Sequence, residues 1–467
     1  MKLNRVTSHL LIAFTIVTLF FAPLLKSLRV ETWYFQWSRK DTYAFIAAYA
    51  LLFSAVVFIL WFTARIPGPR LRIIILMMIA IVPFLSFLFS IYVIQIHPIK
   101  TTAVGTVFLL GIIIWLYCRP SQVRQFFFAI ILIFSPLNIS LLWSVISVEW
   151  FENLDIERPV GDHQTSLPNV YFFLFDELSP NFLYDNEGQI LPAFPNIAEF
   201  SSVSDNYHNA RTLKTQTFHS VPMKIFGIKD KDVAIKNGRL VMAGDDGNYE
   251  RLSNNKQSIF SKAKEQGYVT AAFGPYFRYC SMLRDALDIC HSYSVYNYSG
   301  VNRKFSIVNP IATTIMLWPA VPPFTWLKYP ITTNWQSKGI AQTLEWTINA
   351  FRLSRQAFLY THFFIPHRPF TFDRQGYNPP KKPLLESDEN YVRQVEYVDT
   401  VVGKLVSELK ALDKFDNSAI IIFSDHNFRS RFPEDKDHIV FMVKHAGQNQ
   451  RVDIQDAIHA SDIFGKL

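Results

Sequence analysis

Five long stretches without a charged side chain crowd the first 148 residues: Val6–Leu25, Thr42–Ala64, Ile73–Ile99, Thr101–Cys118 and Gln125–Val148. A helix needs roughly 20 such residues to cross about 30 Å of hydrocarbon, where each backbone amide must find its partner within its own segment. The pattern predicts a transmembrane domain over residues 1–150 with five spans, at 6–25, 42–64, 73–97, 101–118 and 125–148. The first stretch is too long for a signal peptide and lacks a small-residue cleavage site. Residues 151–165 read as a linker. Residues 166–467, about 300 in number, suffice for one large α/β domain with its own core.

The flanking charges set an orientation. Lys2, Arg5, Arg65, Arg70, Arg72, Arg119 and Arg124 fall on one side of the expected spans, and Lys26, Arg29, Arg39, Lys40 and Lys100 on the other. This excess favours the N-terminus inside and, after an odd number of spans, the polar domain outside. The chain is therefore expected to be a multi-pass protein of the inner (plasma) membrane, its large domain facing the periplasm or exterior. Between the first two spans, Ser27–Lys40 carries Trp33, Tyr34, Phe35 and Trp37 and reads as an interfacial stretch. The formal net charge of +8 is scattered, with no basic run interleaved with aromatics, which argues against a nucleic-acid partner. Of three cysteines, Cys118 ends a span, while Cys280 and Cys290 lie ten residues apart in the exported domain. A disulfide between them suits an oxidising compartment.

Within the exported domain Asn169–Asp176 is an apolar run rich in β-formers, as expected of a central strand covered on both faces. Tyr268–Phe273, Leu359–Phe364 and Ala419–Phe423 read as further strands, and Gln257–Gln266 as a helix. Tyr391–Leu412 places Val392, Val395, Val398, Val402 and Leu405 at helical spacing. Alternating strands and helices predict a mostly parallel central sheet covered by helices. Ligands gather at the carboxyl ends of the strands in such sheets. Three junctions of that kind carry metal-binding chemistry: Asp176 with Glu177, His362 with His367, and Asp425 with His426. Carboxylates and imidazole suit a divalent metal ion, zinc or manganese, which can activate a hydroxyl and neutralise an oxyanion. A hydroxyl nucleophile is available at Thr212, Thr215, Thr217 or Ser220, and residue chemistry alone does not choose among them.

A resemblance to a known family does choose. The domain resembles the sulfatase and alkaline-phosphatase superfamily, in particular its membrane-anchored branch of phosphoethanolamine and phosphoglycerol transferases, which includes lipoteichoic acid synthase. NVYFFLFD matches that branch's first strand, ending in the metal ligand Asp176. TFHSVPMKIFG matches its Thr-x-x-Ser-x-Pro motif with Gly ten positions after the Thr, through Thr217, Ser220, Pro222 and Gly227. PHRPF corresponds to the strand-following PHxPF, with His367. SDHNF and HIVFMVK correspond to the last motif, with Asp425, His426 and His438. The resemblance implies an alkaline-phosphatase-like α/β fold, metal binding by Asp176, Thr217, Asp425 and His426, and catalytic roles for Thr217, His367 and His438. Three departures stand out: Asn427 replaces the usual Gly, only eleven residues separate His426 from His438, and Cys-x-Pro-x-Arg, the source of formylglycine in sulfatases, is absent. Ser220-Val-Pro222-Met-Lys224 approaches it, with the wrong cation and a shorter spacing to Gly227.

The expected activity is transfer of a phosphoethanolamine or phosphoglycerol group from a phospholipid donor to a cell-envelope glycan acceptor, through a covalent threonine. The alternatives are a membrane-bound hydrolase of sulfate or phosphate esters and a non-catalytic envelope sensor or assembly protein with the same fold.

Overall fold

The computed structural model describes residues 5–30, 37–68, 155–159, 165–229, 231–236, 239–244, 248–252, 258–294, 297–298, 305–317, 324–379 and 387–464, with isolated helical positions between 71 and 83 and within 139–145. In chain order the main helices are α1 (Arg5–Val30), α2 (Arg39–Thr63), α3 (Thr217–Phe226), α4 (Ile259–Glu265), α5 (Val308–Met316), α6 (Phe324–Phe351) and α7 (Asp388–Ala411). The strands of the main sheet are β1 (Ile156–Glu157), β2 (Asn169–Phe175), β3 (Asp205–Tyr207), β4 (Val269–Pro275), β5 (Ile289–Tyr293), β6 (Ala357–Phe363), β7 (Ser418–Phe423), β8 (Phe441–Lys444) and β9 (Val452–Ile454). The chain divides into two compact units, residues 1–152 with 295–332, and residues 153–294 with 333–467.

In the first unit, His9–Leu28 within α1 and the whole of α2 are long and apolar enough to cross a membrane. Two such helices are described, against five expected spans; 73–97, 101–118 and 125–148 fall wholly or mostly outside the described residues. A capping box opens α2: the Ser38 amide donates to Asp41 Oδ2 at 2.8 Å, and the Asp41 amide donates to Ser38 Oγ at 3.3 Å. Just before it, the buried Trp37 indole donates to Thr42 Oγ1 at 2.9 Å. Phe21, Phe45 and Tyr49 interlock at the α1–α2 contact, where the Tyr49 and Thr18 hydroxyls pair at 2.8 Å. Helix α5 packs against both α1 and α2.

The second unit is built on a nine-stranded sheet in the order β1-β5-β4-β6-β2-β7-β8-β3-β9. Its middle, β5-β4-β6-β2-β7, is parallel throughout. Strands β1 and β8 run against their neighbours. The sheet is therefore mixed, mostly parallel as expected but antiparallel at β1 and around β8. The reason lies in the connection: Ser424–Val440, between β7 and β8, contains no crossover helix, so the chain turns back beside the strand it has just left. Strand β1 arises from the stretch expected to be pure linker and adds to the edge through Ile156 and Glu157.

Other expected elements are present with ends shifted by a residue or a few. Strands β4, β6 and β7 are buried along their whole length, as continuous apolar runs require. Helix α7 buries Val395, Val398, Val402 and Leu405, is capped by the Ser387 side chain, and carries Asp388 and Glu389 at its positive end. Cys280 and Cys290 are bridged, with Cα atoms 5.5 Å apart, tying the turn after β4 to β5.

Candidate active site

Register brings three chain segments to one place. Phe363 of β6 pairs with Phe175 of β2, and Phe423 of β7 pairs with Leu174, so three neighbouring parallel strands end level. Asp176 leaves β2 immediately beyond its last residue, and Asp425 lies two residues beyond β7. Glu177 follows with φ +68, a left-handed conformation rarely adopted by a glutamate, and its amide donates to Asp425 Oδ1 at 3.1 Å. The His426 amide donates to the same oxygen at 3.0 Å. One oxygen of Asp425 is thus held by two backbone amides, which aims the other inward.

Asp176, Asp425 and His426 are fully buried, and one potential ligand atom from each lies within 4.8 Å of the others. His426 Nδ1 donates to the Asn427 carbonyl at 2.8 Å, which leaves the lone pair on Nε2. That nitrogen is 3.3 Å from Asp425 Oδ2 and 3.8 Å from Asp176 Oδ1. A fourth buried group joins them: His362, on β6, has Nε2 3.5 Å from Asp176 Oδ2 and Nδ1 2.9 Å from the Tyr279 hydroxyl. Gly274 makes room for it, since a Cβ there would come within 2.4 Å of the His362 carbonyl oxygen.

Both oxygens of Asp176, Oδ2 of Asp425 and Nε2 of His362 are buried without a hydrogen-bond partner. Unpaired buried acceptors cost free energy, and two adjacent carboxylates in a dry place repel. Burial, and then the charge of Asp425, push the Asp176 carboxyl well above the ordinary range. Burial would raise Asp425 as well, but the His426 and His362 rings and the Thr217 hydroxyl bring it down to about 2. Burial lowers His362 to about 4, so its ring is neutral near pH 7. Orphaned oxygens and neutral imidazole form the donor set of a hard or borderline divalent cation, and the residues fit one.

Thr217 opens α3, its hydroxyl 3.3 Å from His426 Nε2. The N-cap, Gln216, makes no side-chain cap, so the positive end of the helix dipole is directed at this hydroxyl. The ten-residue spacing of the motif has a physical meaning here. Helix α3 runs from Thr217 to Phe226, and Gly227 ends it in the left-handed conformation at φ +60, with Ile228 N donating to Met223 O at 2.8 Å.

Ser220 is nearly inaccessible and committed elsewhere: its hydroxyl donates to the Asp425 carbonyl at 2.8 Å and meets the Lys224 ammonium. Lys224 also donates to Thr212 Oγ1 at 2.9 Å and to the Asp425 carbonyl at 3.3 Å. Burial lowers this lysine to about 8. A cation thus sits behind Asp425, where the sequence suggested only a failed sulfatase signature.

At the rim, Glu177 Oε1 lies 3.6 Å from Arg429 Nε and Oε2 3.9 Å from His367 Nε2. Arg429 donates to the Thr215 carbonyl at 3.0 Å, which ties it to the loop leading into Thr217. Burial lowers His367, against the pull of Asp176. His438 does not join this group: its Nδ1 pairs with Asp435 Oδ2 at 3.0 Å and its Nε2 with the His208 carbonyl at 2.9 Å. Asn427 is buried and bonded to Asn181, Asp435 and the Phe428 amide, so its side chain closes the short loop that Gly usually begins. His362 was named in the sequence only as a histidine at a strand end, and Arg429 and Lys224 were not singled out as site residues; a cation three residues after His426 was the only visible signal for Arg429.

Comparison with solved structures finds matches at low identity. Ps i-CgsB in complex with k-i-k-neocarrahexaose is 16% identical, with a TM-score of 0.44 over 64% of this chain and 70% of that one. A protein of the alkaline phosphatase superfamily from Vibrio parahaemolyticus is 15% identical, with a TM-score of 0.41 over 64% and 65%. The phosphonate monoester hydrolase of Agrobacterium radiobacter is 15% identical, with a TM-score of 0.39 over 64% and 72%. No curated protein matches. The sulfatase family model matches residues 168–466, a stretch that includes both buried aspartates, both buried histidines and Thr217. The chain belongs to the sulfatase family and is a sulfatase-like enzyme.

Proposed function

We propose that this enzyme transfers a substituted phosphoryl group, phosphoethanolamine or phosphoglycerol, from a phospholipid to a cell-envelope glycan, with Thr217 as the covalent carrier. The observation that carries the reading is the Thr217 hydroxyl at an uncapped helix N-terminus, 3.3 Å from His426 and beside two buried aspartates with unpaired oxygens. Asp176, Asp425, His426 and Thr217 would hold the divalent cation, zinc or manganese. When bound, it supplies the charge that makes a threonine hydroxyl nucleophilic and offsets charge on the phosphoryl oxygens.

Thr217 Oγ forms a bond to phosphorus as the bond to the diacylglycerol oxygen breaks, and the hydroxyl proton ends on the departing alcohol. The acceptor hydroxyl then attacks the same phosphorus, and its proton returns to Thr217. His367, a neutral ring at the rim, is suited to carry a proton to the leaving oxygen in the first half and from the acceptor in the second. The N-terminus of α3 stabilises the anionic phosphothreonine. Arg429 offers a positive charge to the phosphoryl oxygens, with Glu177 keeping its guanidinium in place. Ser220, locked behind Asp425, is unsuited to become a formylglycine, which supports phosphoryl over sulfate chemistry.

A lipid donor is supported by the two membrane-length helices on the same chain, and an exported catalytic domain by the Cys280–Cys290 bridge. A membrane-bound hydrolase of phosphate or sulfate esters is the second reading, favoured by the family match itself. Headgroup-labelled phospholipid separates the two, since label on a glycan means transfer and label in water means hydrolysis. Peptide mass spectrometry after incubation with phospholipid tests the carrier. A phosphoethanolamine or phosphoglycerol adduct on Thr217 is expected, and a stable adduct on Thr215 or Ser220 would overturn the assignment.

A further inference from the structure

From Phe305 to Leu327 the chain carries no charged residue, although this run lies far beyond the expected spans. Arg303 and Lys304 precede it and Lys328 follows. Pro310, Pro319, Pro322 and Pro323 interrupt it, which does not suit a spanning helix. Residues 295–332 belong to the compact unit of α1 and α2, while the residues on either side belong to the other unit. Within that unit Ile307, Ile311 and Leu317, in and around α5, pack on the apolar cluster of α1 and α2.

A polar chain of contacts fixes the level at which this happens. The Tyr298 amide donates to Thr313 Oγ1 at 3.1 Å, Thr313 Oγ1 donates to Asn297 Oδ1 at 3.3 Å, and Asn297 Nδ2 donates to Asp41 Oδ2 at 3.5 Å. Asp41 belongs to the capping box at the start of α2, so α5 lies at the polar end of that helix, away from the middle of its apolar length. On the same segment Trp326 is 72% exposed, and Phe305, Val308 and Leu327 are each more than half exposed.

We propose that residues 305–317 and 324–327 form an interfacial lip, seated among the headgroups at the bilayer surface where α2 begins. Contact of α5 with α1 and α2 fixes its depth, and the exposed side chains of Phe305, Val308, Trp326 and Leu327 face lipid. An aqueous environment would leave these apolar side chains in water, whereas the interface is where an exposed tryptophan is most stable. The proposal rests on the reading of α1 and α2 as membrane spans, and the test separates the two.

Single cysteines at Trp326→Cys, Phe58→Cys on the exposed face of α2, and Lys262→Cys on α4 would each carry an environment-sensitive fluorophore in a Cys118→Ser background. The full-length protein is reconstituted in phosphatidylethanolamine–phosphatidylglycerol vesicles, with a headgroup-proximal spin-labelled lipid and aqueous iodide as the two quenchers. Position 326 is expected to be quenched by the lipid probe and blue-shifted like position 58, while position 262 is quenched by iodide alone. Lipid quenching at 58 but not at 326 overturns the lip and leaves the membrane reading standing. Quenching at neither sinks the membrane reading as well. Protection of 326 from both probes means that protein covers it, which also refutes the proposal.

Discussion

The inner cluster and the rim of the site, a few ångströms apart, solve opposite electrostatic problems. Asp176, Asp425, His362 and His426 are wholly buried, and four of their polar atoms have no partner. At the rim, Glu177 already has Arg429 and His367 beside it, and Arg429 keeps a third of its side chain in solvent. The inner group is unbalanced and needs a cation; the rim is balanced within itself and open to exchange partners. On the proposed reading, burial marks the part of the site suited to a bound cation, and partial exposure the part suited to a transient substrate.

If that contrast is right, the inner substitutions cost the most. Asp425→Ala should remove metal and activity together, with a loss on the order of 10³-fold or more in turnover, because both ligand charge and ligand geometry go. Metal analysis of the purified variant checks it; full metal content in an inactive variant would break the contrast. Thr217→Ala should lose activity on a similar scale, about 10³-fold, while retaining most of the metal, since three ligands remain. Thr212→Ala, Thr215→Ala and Ser220→Ala should each keep measurable turnover. Activity in Thr217→Ala would move the nucleophile to one of them.

Arg429→Gln should be milder, about tenfold or somewhat more in kcat/KM, with metal content unchanged, because only a partly solvated charge at the rim is lost. Loss of metal in this variant would erase the distinction between rim and interior. The smallest effect is expected in the pH dependence of stability. In metal-free protein the Asp176 carboxyl is raised above its ordinary 3.8, so the folded state holds a proton that the unfolded state has released. Stability should then fall as pH rises from near 3.8 up to the folded value. Asp425, lowered to about 2, acts in the opposite sense and at lower pH, its contribution being lost as pH falls from 3.8 towards 2. Adding zinc or manganese should flatten the slope above 3.8, read as Tm at pH 5 and pH 8 with and without metal. An identical slope in both would show that the aspartates are not the ligands.

Which parts of this site could be read from the chain follows the same divide. Asp176, Asp425 and His426 were legible because each directly follows an apolar run, and a parallel strand delivers the residue after its last turn to the ligand edge. Thr217 was legible only through the family motif, whose ten-residue spacing to Gly227 the fold explains as the length of one helix closed by a left-handed cap. His362 was visible only as a histidine near a strand end. Its approach to Asp176 depends on the register of β6 against β2, and on a glycine in β4 that leaves space for it. Lys224 looked like the wrong cation in a sulfatase signature, because nothing local shows that it reaches the Asp425 carbonyl. His438 followed the family's motif order, yet its ring is bonded to Asp435 and the His208 carbonyl.

What the sequence determined by itself is whatever depends on neighbours along the chain: apolar runs long enough for membrane helices, buried strands, the amphipathic face of α7, caps, and acidic and histidine side chains at strand ends. What tertiary structure decided is whatever depends on direction and register between distant segments. Strand β8 turned back because no crossover helix follows β7, which made the sheet mixed. Residues 295–332 joined the unit of α1 and α2 although they lie in the middle of the other unit's sequence. The physical reason is common to both: hydrogen bonding and side-chain periodicity are local and written residue by residue, while the choice of partner is made by packing, which a linear pattern does not encode.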